Sequence, residues 1–358
     1  MSEAMKVGLV LSGGGAKGAY QVGVLKALQE LGTRVDMVAG ASIGSLNGAI
    51  LAAAPDLKTG VIRLEEVWSE LAKNSPLSLQ IPYIQLLLAA GLRFPHVAAF
   101  AGLFKLLTFG AKKAGIELPP SIDQLTSEGL LSESPLKALM DKYLDIDRLA
   151  EGVPFYISVF ESFGGIGDIL RVVSAEIGLR DTPKSSFIHI QSLPPQQQKE
   201  LLLASAAIPL LFGPREVNGT RYTDGGQGGW QTMQGNTPIT PLLGAGCNLV
   251  LVTHLSDGSL WSRHDFPEAT ILEIRPQSNL ARDSGLLGGA KDLLGFKAEK
   301  ISSWIEQGYQ DTLQCVGRVM SAQTSRNALH NSEQVLSTSQ KQDIAADTAL
   351  EDAMKRLH

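Results

Sequence analysis

Cysteine and histidine are scarce in this 358-residue chain, which has 2 cysteines and 6 histidines. Cys247 and Cys315 cannot build a disulfide framework or a zinc site, and the histidines show no paired ligand spacing. We therefore expect a protein of a reducing compartment with no resident metal and no other cofactor.

The chain also lacks a large excess of either charge and lacks an export signal. The chain has 31 Lys and Arg against 36 Asp and Glu, and it lacks the basic runs expected of a nucleic-acid partner. Its first residues do not show the charged region, apolar region and cleavage site that follow one another in a Sec signal peptide. Two uncharged stretches, residues 74–92 and 225–256, are broken by Pro, Gly or Gln, so neither predicts a transmembrane helix. These absences predict a cytoplasmic protein that can still attach peripherally to a membrane.

Hydrophobic residues make up 44% of the chain, enough for a large core. Residues 6–11 form an apolar run ended by glycines, and residues 19–31 have helical spacing before Gly32. A second strand-like run at 35–39 precedes an Ala-rich segment at 43–54. Two successive β-then-α units predict a parallel sheet covered by helices. Further strands are predicted at residues 153–160, 170–174, 248–254 and 270–274.

The last part of the chain differs in composition from the rest. Residues 301–316 have the three- and four-residue apolar spacing of an amphipathic helix. From residue 321 onward Ser, Gln and Asn dominate, which favours a mobile polar tail with a short helix near its end. The sequence therefore predicts one domain over residues 1–320 and a polar tail over residues 321–358.

A glycine-rich loop separates the first predicted strand from the first helix. Its members are Gly13, Gly14, Gly15, Ala16, Lys17 and Gly18. The loop fits a dinucleotide fingerprint, but Asp36 begins the second strand where that fingerprint needs an acid at its end. A Walker loop also fails, because Lys17 precedes the last glycine. An NAD(P)-binding oxidoreductase remains an alternative interpretation of this loop.

A second glycine motif follows the second predicted strand. It is G-x-S-x-G, formed by Gly40, Ala41, Ser42, Ile43 and Gly44. At a strand-to-helix junction this pattern is typical of a nucleophile elbow, where a Cβ at either glycine would crowd the turn. The alternative is a serine that caps the helix. Beside the earlier loop the elbow is favoured, since amides of Gly13 to Gly15 can then face a developing oxyanion.

A third motif, Asp224 followed by Gly225 and Gly226, could bring a carboxylate close to another backbone, although a D-G turn between strands is common. The three motifs in this order, with the ASAAIP segment at 204–209 and NTPI at 236–239, resemble the patatin-like phospholipase family. The resemblance covers most of residues 6–274. It implies a three-layer α/β/α fold with a mainly parallel sheet.

The resemblance also implies a function. Ser42 would be the nucleophile, Asp224 the base and the loop from Gly13 to Gly18 the oxyanion hole of a serine lipid acyl hydrolase, of phospholipase A or lysophospholipase type. Such a dyad attacks an ester carbonyl, forms an acyl-enzyme and releases a fatty acid to water. The expected partner is a lipid at a membrane surface. Lys17 stands where the family commonly has Arg, and main-chain donors should preserve the hole despite that change.

His254 is a rival base, because it follows Ser42 and Asp224 in the order of an α/β-hydrolase triad. Such hydrolases place the elbow deeper in the sheet than the second strand, and the family resembled needs no histidine. We therefore interpret His254 as a structural or rim residue, and His189 as structural. A noncatalytic membrane-bound scaffold with the same fold is the remaining alternative.

The most hydrophobic stretch of the chain lies between the second βα unit and the later strands. Residues 72–115 contain no Asp or Glu, while five Lys and Arg residues lie among Leu and Phe. Short amphipathic helices of this composition are typical of an interfacial anchor or a lid. We expect residues 74–116 to form such an element; buried helices or a protein-docking face fit the pattern equally well.

Overall fold

A computed structural model of the protein describes residues 5–73, 134–164, 178–207, 212–256, 260–280 and 296–356, with Asp168, Arg171, Ser174 and Ala175. The predicted lid or membrane-facing element at 74–116 lies outside these residues. No helix of the described part is both long and apolar enough to cross a membrane.

Eight strands of the described residues form one sheet. They are β1 Val7–Leu11, β2 Met37–Ala41, β3 Phe155–Glu161, β4 Ser186–His189, β5 Arg215–Val217, β6 Thr220–Asp224, β7 Leu249–Thr253 and β8 Thr270–Ile274. The α-helices are α1 Ala19–Glu30, α2 Ile43–Ala52, α3 Leu57–Lys73, α4 Ser134–Tyr143, α5 Ile146–Glu151, α6 Pro195–Ser205, α7 Thr240–Gly244 and α8 Ala298–Lys355.

The sheet is mostly parallel. Its order is β5-β6-β3-β2-β1-β7-β8, and β4 also pairs with β3. The pairs from β3 through β2, β1 and β7 to β8 are parallel, whereas β4 and β6 run antiparallel to β3 and β5 antiparallel to β6. Every residue of β1 and β2 is buried, as expected of strands covered on both faces. The carboxyl ends of β1, β2 and β7 therefore lie at one edge.

The first part of α8 packs tightly on α1, the helix that follows the glycine loop. A Cβ on Gly23 would overlap the Ile305 carbonyl oxygen, and a Cβ on Gly308 would overlap the Tyr20 carbonyl oxygen. The Tyr20 hydroxyl also donates to Asp311 at 3.0 Å. This reciprocal glycine contact lets the two backbones approach closely.

The chain divides into two compact units, residues 1–312 and residues 313–358. The amphipathic helix predicted at 301–316 lies within α8. The second unit continues that helix as far as Lys355, over residues for which the sequence predicts a polar, mobile tail. Its described side chains from residue 331 to residue 350 are exposed.

One predicted strand, at residues 170–174, is wrong, because its described residues Arg171 and Ser174 are helical. The segment ends at Gly178, where φ is +75°, and the Leu179 amide donates to the Ser174 carbonyl at 3.0 Å. That is a glycine C-cap, which closes a helix rather than a strand.

Candidate active site

Ser42 occupies a strained turn between β2 and α2. Its φ of 52° and ψ of −125° lie in a region that non-glycine residues rarely adopt. A Cβ on Gly40 would lie 2.6 Å from the Gly44 carbonyl oxygen, and a Cβ on Gly44 would overlap the Leu11 carbonyl oxygen. The strand-to-helix crossing is therefore too close for a side chain at either glycine.

A buried hydroxyl holds the turn in place. The Ser205 hydroxyl, at the end of α6, accepts from the Ser42 amide at 3.1 Å and donates to the Ser158 carbonyl at 2.7 Å. Because its single proton is used there, the Ser45 hydroxyl at 2.7 Å must be the donor of their shared bond. The Ser42 backbone is thereby tied to β3 and α6 as well as to its own strand.

Strand register brings Ser42 and Asp224 together. Ala41 pairs with Ser158 on one side of β3, and Asp224 pairs with Val159 on the other. Ser42 is thus level with Asp224 across β3, and its side chain is close enough to the Asp224 carboxylate to lower the pKa of that acid. Two residues 182 positions apart in the sequence therefore meet at one edge of the sheet.

The Asp224 carboxylate has an unusual electrostatic environment. Burial raises its pKa to about 6, although the Ser42 side chain and the Gly226 amide, which donates at 2.8 Å, both favour the ionised form. Among the described residues, no Lys, Arg or His forms an ion pair with it. A carboxylate in this setting can accept a proton near neutral pH.

The glycine loop lies directly beside Ser42. A Cβ on Gly13 would be 2.9 Å from the Ser42 Cβ. Gly15 has a φ of +58° and opens a 3₁₀ turn, Gly15–Gly18, that leads into α1. Amides at the start of a helix carry partial positive charge, so main-chain donors and a favourable dipole lie next to the serine. Ala16 and Gly18 are buried, and Gly18 packs against Ile43.

Buried side-chain amides form hydrogen bonds with the backbone of this loop and of the residue that precedes it. The Gln21 amide donates to the Ser12 carbonyl at 2.7 Å, and Asn47 donates to Gln21 at 2.8 Å and to the Gly18 carbonyl at 3.1 Å. The Trp68 indole donates to Asn47 at 3.0 Å. Sequence reasoning missed this network; polar residues on otherwise apolar helices were the available signal.

A cavity of about 700 Å³ opens beside the loop. Its lining includes Gly13, Gly14, Lys17, Asn236, His254 and Leu255. The Asn236 amide donates to the Gly13 carbonyl at 3.4 Å, and its Oδ1 lies 3.0 Å from the position of a Cβ on Gly226. Asn236 therefore lies between the glycine loop and the turn that follows Asp224.

His254 follows β7 and is buried at the edge of this cavity. Its Nε2 lies 3.1 Å from a Glu273 carboxylate oxygen, and burial lowers its pKa. Within the described part of the chain, no hydrogen bond joins His254 to Ser42 or Asp224. His189, in β4, packs its ring 5.0 Å from that of Tyr156, and burial also lowers its pKa.

The acid that a dinucleotide site would need is at the opposite edge of the sheet. Asp36 precedes β2, accepts from the Val7 amide at 2.9 Å and pairs with Arg34 at 2.6 Å. Val7 begins β1, whereas the glycine loop follows the end of that strand. Asp36 is therefore a strand-length away from the loop and cannot complete the fingerprint.

Comparison with known proteins identifies the family. The patatin-like phospholipase family model matches residues 9–243. The chain is similar to "Lysophospholipase nte1" of Aspergillus terreus, 38% identical over 104 residues, which cover 29% of this chain and 6% of that protein. It is also similar to "Neuropathy target esterase sws" of Drosophila melanogaster, 50% identical over 64 residues, or 18% of this chain and 4% of that protein. The chain thus spans a small fraction of these relatives.

Among solved structures, VipD from Legionella pneumophila is similar with a TM-score of 0.40 and 16% identity, covering 88% of this chain and 67% of that one. The type III effector protein ExoU has a TM-score of 0.35 at 16% identity, covering 88% and 54%. The predicted α/β fold with a mainly parallel sheet is confirmed by the family match and by the strand order. The match runs from β1 to α7 and spans well over half the chain, which therefore belongs to the patatin-like phospholipase family.

Proposed function

We propose that the protein is a serine lipid acyl hydrolase of phospholipase A or lysophospholipase type, with Ser42 as nucleophile and Asp224 as base. One observation carries this proposal: the side chain of a strained elbow serine lies close enough to a buried carboxylate to lower its pKa, and that carboxylate has no cation partner among the described residues. The names of the relatives, a lysophospholipase and an esterase, support the same class of reaction.

In the acylation step, Asp224 takes the hydroxyl proton of Ser42 while Oγ attacks the ester carbonyl carbon. The carbonyl oxygen becomes an oxyanion, which accepts hydrogen bonds from amides of the loop from Gly13 to Gly18. The carbon–oxygen bond to the alcohol then breaks, and Asp224 returns the proton to the leaving oxygen. The products of this step are an acyl-Ser42 and a free alcohol.

Deacylation repeats the sequence with water. Asp224 takes a proton from water while the water oxygen attacks the acyl carbon, and the same loop stabilises the second oxyanion. The Ser42 oxygen leaves with the proton from Asp224, which regenerates the dyad and frees the fatty acid. A base whose pKa is about 6 suits both steps, since it is ionised at neutral pH yet can hold a proton transiently.

The substrate would lie at a membrane surface. We assign the hydrolase to residues 1–320 and the contact with lipid to residues 74–116. Replacing Leu86, Leu87, Phe100 and Phe104 with Asp should abolish binding to phospholipid vesicles in a sedimentation assay. Unchanged vesicle binding by the folded variant would overturn that assignment.

The test of the dyad combines fluorophosphonate labelling with fatty-acid release from phospholipid and lysophospholipid vesicles. Ser42→Ala should abolish labelling, and Asp224→Ala should lower release about 10²- to 10⁴-fold. Matched controls are Ser192→Ala and Asp56→Asn, which change an exposed serine and an exposed aspartate. Both controls should label and turn over as the wild type does.

The alternatives predict different results. Labelling that persists in Ser42→Ala, or acid release at the wild-type rate by that variant, would overturn the dyad. A wild type that neither labels nor releases acid would favour a noncatalytic scaffold. A rise in melting temperature with NAD or NADP would favour the oxidoreductase.

A further inference from the structure

We propose that His254 is a substrate-binding residue whose Nδ1 accepts a hydrogen bond from a free hydroxyl beside the scissile ester. Such a hydroxyl is present in the glycerol part of a lysophospholipid and of a monoacylglycerol. This inference rests on the proposed hydrolase function and adds to it a residue that selects the leaving group.

The sheet register places His254 next to the glycine loop. Thr253 pairs with Leu11, so His254 is level with Ser12, the residue that precedes the loop. Leu11 also pairs with Gly40, so Ser42 lies on the other side of β1. Two strand spacings, about 10 Å, therefore separate the backbones of the serine and the histidine. A glycerol leaving group can bridge that separation, since Gly13, Gly14 and His254 line the same cavity.

The neighbours of His254 fix which ring nitrogen carries the proton. A Glu273 carboxylate oxygen lies 3.1 Å from His254 Nε2, and the Arg275 Nε donates to the same oxygen at 2.8 Å. Arg275 keeps Glu273 ionised, so the carboxylate accepts and Nε2 must donate. The His254 ring is buried, which favours its neutral form, and Nδ1 is then the unprotonated acceptor.

The imidazole is also held in orientation. Its ring centroid lies 5.4 Å from that of Trp261, and the Trp261 carbonyl accepts from Arg275 at 3.2 Å. Among the described residues, Nδ1 has no hydrogen-bond partner in the protein. An oriented acceptor at a cavity wall is suited to a ligand that supplies the donor.

This geometry discriminates between lipids by hydrogen-bond chemistry. A hydroxyl on the carbon next to the ester-bearing carbon donates to Nδ1. In a diacyl lipid the same position carries a second ester, whose oxygens only accept, and Nδ1 is then buried without a partner. An unmatched buried acceptor is costly, so the site favours the lipid with the free hydroxyl.

The kinetic test removes the donor and keeps the oxygen, at the cost of one added methyl group. Lysophosphatidylcholine is compared with its 2-O-methyl analogue of the same chain, and 1-monoacylglycerol with its own 2-O-methyl analogue. The wild type should hydrolyse the free-hydroxyl lipid with a kcat/KM roughly 5- to 100-fold higher. In His254→Phe the ratio should fall to about one, while His189→Phe, which changes a histidine of β4, should keep it. If the wild type prefers the free hydroxyl in both pairs, His254 accepts the glycerol hydroxyl of a lysophospholipid and of a monoacylglycerol alike. If it does so in one pair only, that pair identifies which of the two lipids supplies the hydroxyl.

A binding measurement keeps the inference testable if turnover is absent or if His254→Phe does not fold. In ¹⁵N-labelled Ser42→Ala, the His254 Nδ1 resonance should be that of an unprotonated nitrogen. Its chemical shift should change when lysophosphatidylcholine is added below its micelle concentration and should not change when the methylated lipid is added.

The two measurements separate failure of this inference from failure of the hydrolase. If the wild type cleaves both lipids of each pair equally, the role of His254 is wrong while the hydrolase stands. If the wild type releases no acid but the resonance responds to the hydroxyl, the binding role stands and the hydrolase is wrong. The inference is overturned, whatever the turnover, if Nδ1 is protonated or if its chemical shift changes with neither lipid.

Discussion

Two carboxylates near the same edge of the sheet have opposite electrostatic environments. Asp224, at the end of β6, contacts a hydroxyl and a backbone amide, and burial raises its pKa to about 6. Glu273, in β8, contacts His254 and Arg275. Burial alone would raise the pKa of Glu273, but the hydrogen bonds from these two residues and the charge of Arg275 lower it.

The comparison shows how the surroundings of an acid decide its role. A carboxylate beside an arginine stays ionised and serves as a fixed acceptor that orients a neighbouring ring. A buried carboxylate without a cation exchanges a proton within the physiological pH range. Asp224 is thereby suited to be a base and Glu273 a positioning residue, although both are acids at strand ends of one sheet.

The sharpest test of this contrast is loss of activity. Asp224→Asn keeps the size and one acceptor oxygen of the side chain but removes the proposed base, and we expect kcat/KM for fatty-acid release to fall about 10²- to 10⁴-fold. Glu273→Gln acts only through His254 and should cost less than about tenfold. Equal losses in the two variants, both folded by circular dichroism, would break the comparison.

Asp224→Asn should lower activity but raise the stability of the fold. Because the pKa of Asp224 is raised from 3.8 to about 6, the folded state binds its proton more tightly than the unfolded state. This group therefore stabilises the fold fully at low pH, and that contribution is lost as pH rises through 6. Asp224→Asn should raise the free energy of unfolding by up to roughly 3 kcal/mol at pH 8 and by little at pH 4. Urea denaturation at the two pH values measures the difference; a variant less stable than wild type at pH 8 would contradict it.

The same titration should appear in the rate. Protonated Asp224 cannot accept the serine proton, so log kcat/KM should fall with unit slope below about pH 6, which is about tenfold per pH unit. A profile that stays flat down to pH 4 would indicate an aspartate with an ordinary pKa. Assays with a soluble short-chain ester keep changes in the vesicle surface out of the measurement.

The smallest expected effect concerns the stability that Glu273 contributes. Its pKa is lowered, so its contribution is present above the unfolded pKa and is lost as pH falls through the folded one. Glu273→Gln should lower the free energy of unfolding by about 1 kcal/mol at pH 7 and by less at acidic pH. The matched control is Asp145→Asn, in the exposed pair with Arg148, which should cost less than about 0.5 kcal/mol. A loss in Glu273→Gln no larger than in this control would contradict the prediction.

The first half of the core could be predicted from the sequence because its signals are local. β1, α1, β2 and α2 each follow from an apolar run and a neighbouring glycine, within residues 6–54. β4, β5 and β6 were not predicted, since they are three to five residues long and each has exposed or half-exposed positions. β4 and β6 depend on pairing with β3, and β5 depends on pairing with β6, which leaves little trace in the residues of these strands.

The candidate site divides in the same way. The elbow and the glycine loop are contiguous motifs, and the resemblance supplied the third, around Asp224. The bond from Ser205 to the Ser42 amide and the pairing of His254 with Glu273 could not be predicted, because they depend on strand register and on the end of a distant helix. Register between strands that are far apart in the sequence is a property of the folded chain.

The position of β1 has a consequence for biosynthesis. One neighbour of this strand, β2, is made about thirty residues later, whereas the other, β7, begins only at residue 249. The segment matched by the family model ends before β7, so that segment alone leaves an open edge in the centre of the sheet. A nascent chain therefore holds its serine and its glycine loop long before β7 can close the sheet around them.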